Sequence, residues 1–152
     1  NVTFGDESFG YYETLGGGGG AGKTFDGPSA VQVHMTNTRL TDPELVEARH
    51  PLRILALRQR RGSGGNGARC GGDGLEREYE ALRDLDVSLL TERRASAPFG
   101  LAGGAAGTRG ENLVDDKAVS GRAQLRLLRG QRLLIRTPGG GGFGPATNDP
   151  NV

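Results

Sequence analysis

Leu75-Glu76-Arg77-Glu78-Tyr79-Glu80-Ala81-Leu82-Arg83-Asp84-Leu85 can be read in two ways. Leu75, Tyr79 and Leu82 stand at i, i+4 and i+7, and Glu and Arg favour a helix. With a period of two, Leu75, Arg77, Tyr79 and Ala81 share one face of a strand. The choice decides whether the middle of the chain is helical or part of a sheet, and the stretch alone leaves both open. Its surroundings read as strands. Val87-Ser88-Leu89-Leu90 follows as one, after Asp84 and Asp86. Upstream, Leu52, Ile54, Ala56 and Arg58 alternate with Arg53, Leu55 and Leu57, as in a strand buried on both faces near its middle. Leu125–Leu128 and Leu133–Ile135 look like a hairpin around Arg129-Gly130-Gln131. Val2–Phe4 and Phe9–Leu15 read as extended, and Ala30–Met35 alternates, with Val31 and Val33 on one face and His34 on the other. One helix start is clear in Thr41-Asp42-Pro43-Glu44: Thr41 or Asp42 caps, Pro43 fits the first turn and Glu44 suits the helix dipole. That helix ends before Pro51. The expected fold is α+β and β-rich, with mostly antiparallel strands, Gly-rich loops and one or two short helices.

The 152 residues include 28 Gly and 7 Pro, a share just under the roughly 25–30% that marks low complexity. Trp is absent, and there are one Met and five Phe, so little large apolar surface is available for a core. The chain is expected to be part of a larger domain. The glycines cluster at 16–22, 62–74, 100–110 and 139–144, and Asn66, Arg69, Asp73 and Phe143 sit inside these clusters. Such loops are shaped, with Gly supplying positive φ or close backbone approach. The longest apolar runs, such as Ile54-Leu55-Ala56-Leu57, are far short of the roughly 18–20 residues of a membrane helix. No secretory leader is read at the start. The single Cys70 allows no internal disulfide, and a zinc site needs several Cys or His; both suit a cytoplasmic protein. A net charge of +1 argues against nucleic-acid or membrane partners. Arg58, Arg60 and Arg61, and Arg126, Arg129 and Arg132, read as solvated strand faces and loop ends beside carboxylates.

Gly17-Gly18-Gly19-Gly20-Ala21-Gly22-Lys23-Thr24 matches the phosphate-loop pattern G-x-x-x-x-G-K-[ST]. That chemistry needs a buried strand before the loop and a helix after it. Here Phe25-Asp26-Gly27-Pro28 follows, and Gly-Pro stops a helix within one turn. An independent nucleotide-binding protein built on Gly17–Thr24 is therefore the first alternative. It predicts a helix over 23–33, whereas a strand over 30–35 counts against it. A non-catalytic Gly-rich interaction module is the second, and it predicts disordered loops.

His34, Asn37 and Arg39 stand in one short polar run: a base or metal ligand, an oxyanion donor, and a clamp for carboxylate or phosphate. Structural roles compete, with His34 hydrogen-bonded and Asn37 capping a turn. Asp73, between two glycines, is a candidate ligand or an Asx turn. Arg93 and Arg94 are candidates for a phosphate or substrate carboxylate, against a salt bridge to Glu92.

Five segments in order resemble the hydantoinase B / 5-oxoprolinase family. They are Phe9-Gly10-Tyr11-Tyr12-Glu13-Thr14; His34-Met35-Thr36-Asn37-Thr38-Arg39 with Thr41–Glu44 and Glu47; Gly62–Gly67 with Gly71–Gly74, Arg77 and Glu78; Glu92–Arg94 through Pro98–Leu101 to Gly103, Gly104, Gly107 and Asn112; and Thr137–Gly144. The resemblance covers nearly the whole chain and implies the C-terminal segment of a hydantoinase B/oxoprolinase-type domain. It implies ATP-dependent opening of a cyclic amide such as 5-oxoproline or a hydantoin. ATP would be bound mainly by a partner half of the hydantoinase A type. A divalent metal is compatible with this chemistry, but no residues are assigned to it. The expected partners are the N-terminal remainder of the same subunit, that ATP-binding half and a small-molecule substrate; the segment alone is expected to be inactive. By the family pattern, Gln32 stands where a second His is often found, and His50 and Cys70 stand where aromatics are expected.

Overall fold

The computed structural model describes residues 1–33 and 36–146. The strands are β1 (Val2–Asp6), β2 (Phe9–Glu13), β3 (Leu52–Arg60), β4 (Gly74–Ala81), β5 (Leu85–Leu90), β6 (Glu111–Val114), β7 (Lys117–Ala118), β8 (Arg122–Leu127) and β9 (Arg132–Arg136). Every pairing between them is antiparallel. They form two sheets, ordered β2-β1-β5-β8 and β3-β4-β9-β6-β7. One apolar cluster takes Val2, Phe4, Leu85, Val87 and Leu127 from the first sheet and Leu52, Tyr79, Ala81, Leu133 and Ile135 from the second. The molecule is therefore a small sandwich, sealed at one side by Val46 of the helix α1 (Pro43–Arg49). The β-rich α+β expectation holds, with one helix among the described residues.

The ambiguous stretch is a strand followed by a corner. Tyr79 and Ala81 are sealed into the core, and β4 pairs on both sides, with β3 and with β9. These cross-strand partners override the helix propensity of its Glu and Arg residues. The turn at 82–84 then carries the chain into the other sheet as β5. Helix α1 starts as its sequence indicates: Asp42 accepts from the Glu44 amide at 3.0 Å, and Pro43 occupies the first turn.

Three expectations are corrected. The hairpin over 125–135 is instead a second corner, because β8 pairs with β5 while β9 pairs with β4 and β6. Leu127 and Leu133 can then enter the core from opposite sheets. The two corners lock together: the Gly130 amide donates to Ala81 O, the Ala81 amide to Gln131 O, and the Arg129 amide to Asp84. Second, β3 is not buried on both faces. It is an edge strand with a bulge between Ile54 and Ala56, and Leu55 and Leu57 are exposed. Third, the alternation over 30–35 yields only a bridge at Val31 to Gly17, and Val33 is exposed; His34 and Met35 lie outside the described residues.

Below the sandwich, the glycine clusters pack backbone on backbone. Residues 137–144 form the centre of this stack. Pro138 O accepts from Gly18, the Gly140 amide donates to Gly72 O, Gly140 O accepts from Gly65, and the Gly142 amide donates to Ala105 O. A Cβ on Gly18 would overlap the Gly72 carbonyl, and one on Gly140 the Gly19 carbonyl. Only the absence of a side chain permits this approach. The loops are thus shaped and hydrogen-bonded, not disordered as an interaction module requires.

Candidate functional site

Where the Gly stack meets the sandwich, a cleft of about 550 Å³ opens. Its polar wall includes Gln32, Thr36, Thr91, Arg93, Arg94 and Thr137. Gln32, Val33 and Thr36 therefore line the same space as the Arg93–Arg94 pair, although 57 positions separate Thr36 from Arg93 in the chain. His34 falls between Val33 and Thr36 in sequence but outside the described residues. Asn37 and Arg39 are exposed and are not part of the cleft wall.

The adjacent arginines do different things. Arg94 is held: Nε and Nη2 donate to Asn112 Oδ1 at 3.2 and 2.8 Å, and Nη1 donates to Glu92 O at 2.7 Å. Burial, with the positive charge of Arg60, lowers its guanidinium to about 10. Asn112 is itself buried and donates to Thr91 Oγ1 at 2.9 Å. Arg93 is exposed, its guanidinium stacked over the Phe99 ring at 5.8 Å. Its backbone sits at φ 60°, uncommon for a non-glycine residue and a conformation that often marks a functional position. The expected carboxylate, Glu92, pairs with Arg122 instead, at 3.4 Å. Arg93 thus has no carboxylate partner among the described residues, while Arg94 is committed to the scaffold.

Asp73 is placed away from the cleft. Its Oδ1 accepts from the Gly64 amide at 2.9 Å and its Oδ2 from Gln59 at 3.0 Å. Burial works to raise the carboxyl, but these hydrogen bonds outweigh it and hold it below the ordinary range. The other Arg clusters read correctly as paired faces: Arg58 with Glu76, Arg132 with Glu78, Arg126 with Asp84 and Asp86.

The phosphate-loop alternative fails on its donors. The amides of Gly17, Gly18, Gly19, Ala21 and Gly22 already donate to the carbonyls of Val31, Pro138, Pro28, Gly141 and Phe25. No helix follows, since 22–25 closes as a turn. Among the run's amides only those of Gly20, Lys23 and Thr24 are left without a hydrogen bond, so the run does not form the phosphate cradle that the motif describes. Nor is any group of three His, Cys, Asp or Glu placed to hold a metal among them.

Sequence reasoning did not find a buried polar centre behind the cleft. Arg77 and Glu13 are fully buried and paired at 3.0 Å, and Tyr79 donates to the same carboxylate at 2.5 Å. Burial and the Glu13 charge push the Tyr79 phenol well above its usual range, so it stays a donor. An Arg between Leu75 and Tyr79 on the period-two face was the available signal. His50 takes the aromatic's place, stacking on Tyr11 and Phe9 at 4.6 and 5.4 Å.

The fold and cleft define a β-sandwich unit whose working loops are held by a glycine stack. The chain belongs to the family described as Hydantoinase B/oxoprolinase, whose profile matches residues 1–146. It is 52% identical over 149 residues to 5-oxoprolinase 1 of Arabidopsis thaliana and 49% identical to 5-oxoprolinase of Dictyostelium discoideum. It covers 12% of each of those proteins, and they align with 95% of it. Among solved structures, ATP-dependent caprolactamase from Pseudomonas jessenii shares the fold with a TM-score of 0.75 and 22% identity, over 95% of this chain and 28% of that one. Acetone carboxylase in its nucleotide-free structure gives 0.62 and 18%, over 84% and 22%. No helix among the described residues is long and apolar enough to cross a membrane.

Proposed function

We propose that this chain is the C-terminal segment of the hydantoinase B-type part of a cytoplasmic ATP-dependent enzyme that opens a cyclic amide, 5-oxoproline being the first candidate. The observation that carries the reading is the cleft, which sets an acid-free Arg93 opposite the segment leading into Asn37 and Arg39. Strong identity to two proteins named 5-oxoprolinases supports the substrate class.

A lactam carbonyl is protected by resonance, so water adds to it only once the ring is activated. Activation by ATP falls to a hydantoinase A-type half outside this chain, a reading supported by the bonded amides of Gly17, Gly18, Gly19, Ala21 and Gly22. We assign this segment the ring itself. Arg93 holds the ring's carboxylate, Asn37 donates to the oxygen that gains charge as water adds, and Arg39 clamps the anion that forms. His34 is the base that takes the proton from water. The C–N bond then breaks as the ring nitrogen takes up the proton from His34, and a second water releases the activating phosphoryl group as inorganic phosphate. Arg94 fixes the loop that carries Arg93, and Asp73 braces the neighbouring loop.

The test is ADP release by the full-length enzyme with 5-oxoproline and with hydantoin. Arg93→Ala is expected to raise the KM for 5-oxoproline at least about tenfold and leave the KM for ATP unmoved. The reading fails if neither cyclic amide stimulates ATP hydrolysis.

A further inference from the structure

The buried centre behind the cleft has one unusual connection. Thr41 is gripped at both ends of its backbone: its amide donates to Glu13 Oε1 at 3.1 Å, and its carbonyl accepts from Arg77 Nη2 at 3.0 Å. Arg77 Nε bridges back to Glu13 Oε2, so the two charges and the Thr41 backbone close a ring. Glu13 comes from β2 and Arg77 from β4, which lie in different sheets. The next residue along β2's path, Thr14, accepts from Gln32 Nε2 at 3.0 Å. Consecutive residues Glu13 and Thr14 therefore clasp the two ends of the stretch from Gln32 to Thr41, which contains Asn37 and Arg39.

A buried ion pair is a poor source of stability, since desolvation offsets its attraction. This one is also incompletely satisfied, because the buried Arg77 Nη1 has no hydrogen-bond partner. A centre built only for stability would be better served by apolar side chains of similar volume. What the charges supply is directional: a planar fork that meets a carboxylate and a carbonyl at once.

We propose that Glu13 and Arg77 are positioning residues that fix the polar run from Thr36, on the cleft wall, to Thr41. The inference rests on the reading above that this run works on the substrate. Its primary test does not depend on turnover.

Hydrogen–deuterium exchange is followed over residues 36–41 in the full-length protein, for Arg77→Lys and for the charge-free double variant E13L/R77M. Lys keeps a charge beside Glu13 but has no fork to reach Thr41. The double variant avoids stranding one buried charge. Exchange over 36–41 is expected to rise about tenfold or more in both, with protection of β4 and β5 retained. In an enzyme with cyclic-amide turnover, kcat should fall with it, least in Arg77→Lys, while the KM for ATP stays put. Unchanged exchange over 36–41 in the folded variants overturns the proposal, as does loosening spread evenly through β2 and β4, which would mark a plain structural brace. Absence of turnover in the wild type would instead sink the functional reading and leave the exchange result to judge the clasp.

Discussion

Arg93 and Arg94 are identical in type and adjacent in sequence, yet only Arg94 is tied into the scaffold. The difference is made by Asn112, which accepts two bonds from Arg94 and donates to Thr91. Asn112→Ala would remove two bonds from Arg94, leaving it Glu92 O, and one accepted by Thr91, leaving it Gly121 O, and the expected loss is about 2–3 kcal/mol of stability. Thermal melting checks it; a change below about 0.5 kcal/mol would show that water replaces these bonds. Asp73 gives a pH-dependent prediction. Its folded carboxyl lies below the ordinary value of 3.8, so its contribution is complete above that value and is lost as pH falls through the folded one. Asp73→Asn should speed exchange of the Gly64 amide about fivefold at pH 7, for roughly 1 kcal/mol in this partly exposed site. The gap between variant and wild type should close below the carboxyl's titration. A gap that persists at low pH would mean that the charge is not the cause. Residue types suggested an Asx turn at Asp73, but its carboxylate accepts from the Gly64 amide and from Gln59 instead, while the Leu75 amide donates to Thr137. Residue types could not show which of two neighbouring arginines is tied down, since Asn112 lies far along the chain.

At the level of elements, the sequence was most legible where local chemistry decides. Asp42-Pro43-Glu44 begins the helix as its capping groups require. It was least legible where a strand's partner decides. Leu125–Leu128 and Leu133–Ile135 have the composition of a hairpin, and Gly130 at φ 84° supplies a turn, but the core draws the two strands into opposite sheets. Alternation over 52–58 likewise registers apolar side chains without saying that β3 sits at an edge. The glycine clusters were readable as shaped loops, though not as layers of one stack. The stack makes a graded prediction. Gly18→Ala and Gly140→Ala drive a methyl into another segment's carbonyl and should cost more than about 3 kcal/mol each. Gly10→Ala, in β2, meets nothing within 4 Å and should change stability by less than about 0.5 kcal/mol. Denaturant midpoints of the three variants would test the idea; equal effects would remove close approach as the reason for the glycines.

For the whole molecule, the question is where the nucleotide sits. Lys23 closes a phosphate-loop pattern, is exposed, and stands beside amides that already have carbonyl partners. A phosphate could take the amides of Gly17, Gly18, Gly19, Ala21 and Gly22 only by breaking bonds to residues 25–31 and to the central 137–144 segment. The same bonds shape the cleft, whose wall includes Gly17, Gly18 and Pro138. The glycine run thus helps to wall the cleft, and five of its amides are unavailable to a phosphate. Under the proposed function, activation takes place elsewhere in the assembly and ring handling here. In the full-length enzyme, Lys23→Ala should leave kcat and the KM for ATP within about twofold of wild type. A lysine that truly cradled the terminal phosphates would be worth about a hundredfold or more in rate. A loss of that size, measured as 5-oxoproline-dependent ADP release, would return the nucleotide to this segment.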